Sequence, residues 1–266
     1  MSSRTRLDAE LVRRGLARSR EQAAELIAAG RVAVAGQLAG KAATQVGHEA
    51  AITVRGGGAA PEYASRGGHK LEGALAAFTG LQVTSRRCLD AGASAGGFTD
   101  VLLRRGAAQV VAVDVGYGQL AWPLRTDPRV TVLDRVNVRG LLPEQVAPAP
   151  GLVTADLSFI SLVLVLPALV ACAAPDADFV LLVKPQFEVG RGKVGTGGVV
   201  RDPALRESAV AGVAAAALEL GLGVPGVVAS PLPGPSGNVE YFLWLRQSAP
   251  PLDRAALQRA ITEGPQ

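Results

Sequence analysis

Read for the spacing of its apolar positions, the chain changes character near residue 60. In the first part Leu7, Leu11 and Val12 recur at helical spacing until Gly15. Ser19 and Gln22 then make an S-x-x-Q capping box, and Ala23, Leu26 and Ile27 give a second apolar face that Gly30 closes. "RVAVAG" (31–36) and "AAITVRG" (50–56) read as short strands. The pattern predicts a small α+β module over residues 1–60, with "RGGGAAP" (55–61) as linker.

From residue 61 to 266 the pattern alternates. Short apolar runs predict strands at 87–92, 110–115, 129–134, 151–156, 178–184, 226–230 and 240–246. Helical segments at 97–105, 141–146, 158–172 and 203–220 separate most of them. Apolar strands spaced by helices predict an α/β domain, a mostly parallel sheet covered on both faces. The segment 240–246 follows Pro-Gly punctuation and suits an antiparallel last strand. One run, "LSFISLVLVLPALVACAA" (157–174), has 18 residues without a charge, the lower edge of a membrane span. Pro167, two serines and strand-like neighbours on both sides favour a buried helix instead.

Charge sharpens the contrast between the parts. Only four of the 27 basic residues are lysines: Lys41, Lys70, Lys184 and Lys193. A net charge of +4 says little, but seven arginines fall within the first 31 residues, against Asp8, Glu10, Glu21 and Glu25. That density predicts a phosphate-binding face. No aromatic residue lies among those arginines, so the face would grip backbone and shape rather than stack on bases. Cys88 and Cys172 sit in separate apolar runs, and with only His48 and His69 beside them neither a disulfide framework nor a metal site presents itself. The N-terminus lacks an apolar signal region. These features predict a cytoplasmic protein with no metal and no stable membrane association.

Candidate chemistry gathers at predicted strand ends. "LDAGASAGGFTD" (89–100) joins the first strand to a helix, and its glycines let backbone approach a ligand. Asp114 ends the second strand, where a carboxylate accepts bonds from ribose hydroxyls, and Asp134 ends the third, where it can accept from an adenine amine. The turn is not a spaced G-x-G-x-x-G and no basic residue follows until Arg104, which favours S-adenosylmethionine over a dinucleotide. The candidate cofactor set is Asp90, Gly92, Ala93, Ser94, Gly96, Gly97, Asp114, Asp134 and Asp156. On the same edge Lys184 ends an apolar strand, where a lysine must be paired or hydrated in a cleft. Asp156 ends a neighbouring strand, and Glu240 begins the last one. Lys70 lies just before a short helix, so two lysines and two carboxylates can converge beside the cofactor. Past them, "FEVGRGKVGTGGVVRD" (187–202) suits either a mobile loop closing over RNA or a plain connection.

Two resemblances add to this reading. "RLDAELVRRGLARSREQAAELIAAGRVAVAG" resembles the RNA-binding domain named after ribosomal small-subunit protein four, which implies RNA contacts at Arg4, Arg6, Arg18, Arg20 and Lys41. Lys70, Asp156, Lys184 and Glu240 look like the K-D-K-E tetrad of FtsJ-type ribose 2′-O-methyltransferases. With "SRGGHKL", "DLSFISL", "KPQFEVGR" and "GNVEYF", the whole chain resembles the TlyA family, known both as haemolysins and as methyltransferases of cytidine ribose in small- and large-subunit rRNA. The resemblance implies a Rossmann-like S-adenosylmethionine-dependent methyltransferase domain over 61–266, with ribosomal RNA or ribosomal subunits as partner. Ala95 and His69 depart from the family pattern without touching the tetrad. Lys184 would then take the proton of the ribose hydroxyl, its pKa lowered by burial and by Lys70, or, still charged, stabilise the developing alkoxide. Rival readings are a membrane-lytic protein, a non-enzymatic ribosome-binding factor, and an enzyme that methylates a small molecule or a protein.

Overall fold

The apolar stripes close into separate cores. The computed structural model describes residues 4–14, 16–17, 19–47, 50–54, 63–234 and 236–264, and its contacts divide the chain into Met1–Glu62 and Tyr63–Gln266. The linker expected at 55–61 lies outside the described residues.

The first unit runs β1 (Arg4–Arg6), α1 (Leu7–Arg13), α2 (Arg20–Ala28), β2 (Val32–Val34), β3 (Gln37–Leu38), β4 (Gln45–Gly47) and β5 (Ile52–Val54). Ser19 starts α2 by accepting from the Gln22 backbone N–H, as its capping position requires. Leu7 and Leu11 of α1 pack with Ala23 and Ile27 of α2 over Val32 and Val46. The strands form an antiparallel β1–β4 pair and a three-stranded sheet in the order β3-β2-β5. Sequence pattern missed β1, β3 and β4, because two or three residues carry no readable alternation.

The second unit runs α3 (Gly67–Ala77), β6 (Arg87–Ala91), α4 (Gly97–Arg104), β7 (Gln109–Asp114), α5 (Trp122–Arg125), β8 (Val130–Asp134), α6 (Pro143–Val146), β9 (Leu152–Ala155), α7 (Leu162–Cys172), β10 (Asp178–Val183), α8 (Pro185–Glu188), α9 (Pro203–Glu219), β11 (Leu222–Ala229), β12 (Tyr241–Gln247) and α10 (Arg254–Glu263). Seven strands form one sheet in the order β11-β12-β10-β9-β6-β7-β8. The pairs among β10, β9, β6, β7 and β8 are parallel, and β12 runs antiparallel between β10 and β11.

Both faces of the sheet are covered, so its central strands β6, β9 and β10 are buried almost throughout and successive side chains serve opposite cores. In β10, Phe179, Leu181 and Val183 pack with α7 and α9, while Val180 and Leu182 pack with α3 and α4. In β12, Tyr241 and Leu243 face the first core and Phe242 the second. This parity has a chemical consequence. Carried one residue past β10, it turns Lys184 towards the α3 side, and counted back from Phe242 it turns Glu240 the same way.

Four details differ from the pattern. Lys70 lies inside α3 rather than before it. The apolar run starting at 158 becomes helical only at Leu162, leaving 156–161 as a loop. β11 begins at Leu222, ahead of the run 226–230, and its register shifts between Gly223 and Gly226 around Pro225, which an edge strand tolerates. Helix α10 had no periodicity strong enough to read, since only Leu257, Ala260 and Ile261 are buried along it.

Candidate active site

Two lysine–carboxylate pairs stand on the edge formed by the ends of the parallel strands. Lys70, on α3, donates from Nζ to Glu240 Oε2 at 2.6 Å, and both are buried. Glu240 sits there because β12 is antiparallel: Tyr241 pairs with Val183, so the start of β12 lies beside the end of β10. Its other oxygen, Oε1, is buried without a hydrogen-bond partner. Lys184 approaches Asp156 Oδ1 at 2.6 Å, a close charge contact lacking hydrogen-bond alignment, and donates to Ser158 Oγ at 3.0 Å. Lys184 is buried, and Asp156 is the most open of the four, with 23% of its side chain exposed. Sequence reasoning missed Ser158, because a chargeless run from 158 reads as helix rather than loop.

The glycine turn presses against this edge. Gly92 has φ +85°, and a Cβ there would come within 2.6 Å of the Asp156 carbonyl oxygen. At Gly97, which opens α4, a Cβ would overlap Ser65 Oγ and come within 2.7 Å of the Gly68 nitrogen, so α3 and α4 meet backbone to backbone. Ala93 is buried in the turn, whereas Ser94 is exposed. The Ser94 backbone N–H donates to Asp114 Oδ2 at 2.8 Å, and that of Gly116 to Oδ1 at 2.7 Å. Asp134 is level with Asp114 across β7 and β8 and takes a bond from Arg125 Nη1 at 2.9 Å. Both carboxylates are only half-buried. The set suits a nucleoside carrying a cationic group: two partly exposed carboxylates at strand ends, and a turn of small residues.

Asp90 does not join them. It has no exposed surface, and Oδ2 accepts from Thr99 Oγ1 at 2.6 Å while Oδ1 faces Thr154 Oγ1 at 3.5 Å. Burial, and secondarily the charge of Asp156, push this carboxyl up to about 7. Asp90 therefore braces the turn from below, since its strand parity points it into the α4 packing.

In the first unit a second grouping is visible. Asp8, buried at the start of α1, accepts from Arg6 Nε and Nη2 at 3.1 and 2.9 Å and from Arg20 Nη2 at 3.1 Å. The Arg6 bond above all holds the Asp8 carboxyl well below the usual carboxylate range. Two exposed guanidiniums are thus fixed to one carboxylate. Lys41 is exposed, Arg4 pairs along β1 with Gly47, and Arg18 lies outside the described residues.

Comparison with known proteins bears on both groupings. The family model described as FtsJ-like methyltransferase matches residues 63–247, and the one described as S4 domain matches residues 5–52. Over 273 aligned residues, covering all of both chains, the sequence is 63% identical to the 16S/23S rRNA (cytidine-2′-O)-methyltransferase TlyA of Mycobacterium tuberculosis. It is 41% identical to Bacillus subtilis YqxC, whose name carries an rRNA methyltransferase label, over 98% of this chain and 94% of that one. A solved structure from Streptococcus thermophilus, carrying a hemolysin label, superposes with a TM-score of 0.79 at 37% identity, covering 99% of this chain and 96% of that one. The three protein likenesses each span both units, whereas each family model matches one.

Proposed function

Because the chain belongs to the FtsJ-like methyltransferase family, matches an S4 domain ahead of it, and is 63% identical over its full length to a TlyA rRNA (cytidine-2′-O)-methyltransferase, we propose that it methylates the ribose 2′-oxygen of cytidine in ribosomal RNA. The observation that carries the reading is the pair of lysine–carboxylate contacts, Lys70–Glu240 and Lys184–Asp156, at the ends of neighbouring strands, with Asp156 against the glycine turn.

S-adenosylmethionine, when bound, supplies a methyl group already activated on a sulfonium. The turn from Gly92 through Gly97 would receive it, with Asp114 at its ribose hydroxyls and Asp134 at its adenine amine. What remains is to align a poor nucleophile and to remove its proton. Nζ of Lys184 is the acceptor for the 2′-hydroxyl proton in this reading. Asp156 and Ser158 fix where that nitrogen points, and the Lys70–Glu240 pair closes the other flank of the site. If Nζ instead keeps its proton throughout, it stabilises the developing alkoxide. A pH–rate profile separates the two roles, because only the first requires an ionisation that follows Lys184. Phe159, 91% exposed on the loop that carries Asp156, offers a ring to an unstacked base. Arg4, Arg6, Arg18, Arg20 and Lys41 would hold RNA phosphates, with Asp8 pre-setting two of them. The hemolysin label stays with the relatives that bear it; among the described residues no helix is long and apolar enough to cross a membrane.

The test is transfer of a tritiated methyl from the cofactor to ribosomal RNA, with the label mapped to a cytidine ribose. The parent should transfer it. Lys184→Arg, permanently charged and wider, should lose at least about 100-fold in kcat while binding cofactor within about threefold. Absence of transfer by the parent, or turnover by the arginine variant near the parent level, would overturn the reading.

A further inference from the structure

The loop leaving β9 and the segment leaving β10 run side by side, and side chains tie them at three successive levels. Asp156 and Ser158 meet Lys184 first. Phe159 then packs against Phe187, with ring centroids 5.2 Å apart. Furthest from the sheet, Glu188 accepts from the Ser161 hydroxyl with Oε2 and from the Leu162 backbone N–H with Oε1 at 2.8 Å. Both of those donors are neutral. Burial raises the carboxyl above its ordinary value, and the two hydrogen bonds only partly oppose this. Burial works against the charged form of this carboxylate, a cost that the N–H groups at the start of α7 only partly offset. Nor does the helix need it as its sole cap, since Ser161 already accepts from the Val163 backbone N–H at the start of α7.

We propose that Glu188 is a positioning residue, whose two-oxygen clasp on Ser161 and Leu162 holds the loop of Asp156 and Ser158 in register with Lys184. The inference rests on the assignment of Lys184 to the reacting oxygen. Loss of the clasp lets the two segments separate at their outer end. The displacement then passes inward along the loop through Asp156 and Ser158 to Nζ of Lys184, where small misplacements are expensive. On the proposed reading the glycine turn holds the cofactor and the first unit most of the RNA phosphates, so loss of the clasp should fall mainly on turnover, with only a small effect on RNA binding through Phe159.

Three variants test it. Glu188→Ala removes both bonds, whereas Glu188→Gln keeps both, accepting from Leu162 with its carbonyl and donating its amide N–H to Ser161. Ser161→Ala removes one. For E188A the expected result is a kcat lower by about 10- to 100-fold, with cofactor Kd and RNA KM within about threefold of the parent. E188Q should recover kcat to within about threefold, and S161A should fall between the two. Amide exchange should quicken at 156–161 and 186–189 in E188A and return to the parent rate in E188Q. A kcat for E188A within about twofold of the parent overturns the proposal, as does an E188Q variant as slow as E188A. Should E188A fail to fold, S161A decides: a parental kcat overturns the clasp and a reduced one supports it. If the parent itself transfers no methyl to RNA, the functional reading falls, while the exchange rates still judge the clasp, since unchanged rates overturn it.

Discussion

Asp90 is a carboxyl group without exposed surface, held by Thr99 and facing the negative charge of Asp156. Its proton leaves the unfolded chain near pH 4, but the folded chain only at about 7. Between those values the folded state holds more protons than the unfolded one, so this group's contribution to stability is fullest below about pH 4 and falls as pH rises towards 7. Asp90→Asn removes that titration. We expect its Tm relative to the parent to climb by roughly 3–10 °C between pH 4.5 and 7.5 and to stay level above. A parallel pair of Tm curves would show that the carboxyl is ionised in both states. The sequence places Asp90 at a strand end but cannot show its enclosure, because that depends on Thr99 from α4 and Thr154 from β9 arriving on the same side. Ser158 and Glu188 were hidden for a similar reason. Their roles lie in partners 26 to 27 positions away, across a loop that reads as helix from composition.

At the scale of elements, much of the proposed chemistry sits where strands give way to loops and helices. The strands could be read from sequence because a sheet covered on both faces demands continuous apolar runs, and those runs end abruptly in Asp114, Asp134, Asp156 and Lys184. Parity then decides which face each terminal side chain meets, and it sends three of the four tetrad members towards the helix that bears the fourth. The joint after β6 is the tightest. Its left-handed residue, Gly92, lies against the backbone of the joint after β9. Gly92→Ala combines an unfavourable backbone angle with an overlap on the Asp156 carbonyl, costing about 1–3 kcal/mol. If, as proposed, the same turn receives the cofactor, the substitution should also weaken cofactor binding by at least about tenfold. Calorimetric titration and a thermal melt check both effects, and undiminished cofactor affinity would mean that the turn is not the binding element. Helix α10 and the shortest strands escaped the pattern, since their few buried positions fall below what periodicity resolves.

For the molecule as a whole, the two-part organisation was legible because an arginine-rich, helix-led segment gives way to strand and helix in alternation. The apolar clusters of the larger unit draw only on residues from Tyr63 onward, so its core does not depend on the smaller one. A protein consisting of residues 63–266 should therefore fold with one cooperative transition and bind cofactor within about threefold of the full chain. Its affinity for ribosomal RNA should drop at least about tenfold, with a shallower dependence on salt, as lost phosphate contacts require. Equal RNA affinity and an equal salt slope would remove the first unit from recognition. The antiparallel course of β12 has one further consequence, in the order of folding. Lys70 waits for a carboxylate 170 positions later in the chain, delivered only when the last strand inserts between two others. Until then the growing polypeptide can pair β6 to β10 but holds a lysine in an apolar setting without its counter-charge. If the Lys70–Glu240 pair belongs to the catalytic set, as proposed, competence for catalysis arrives only with the final strand, and a chain halted before residue 240 should transfer no methyl.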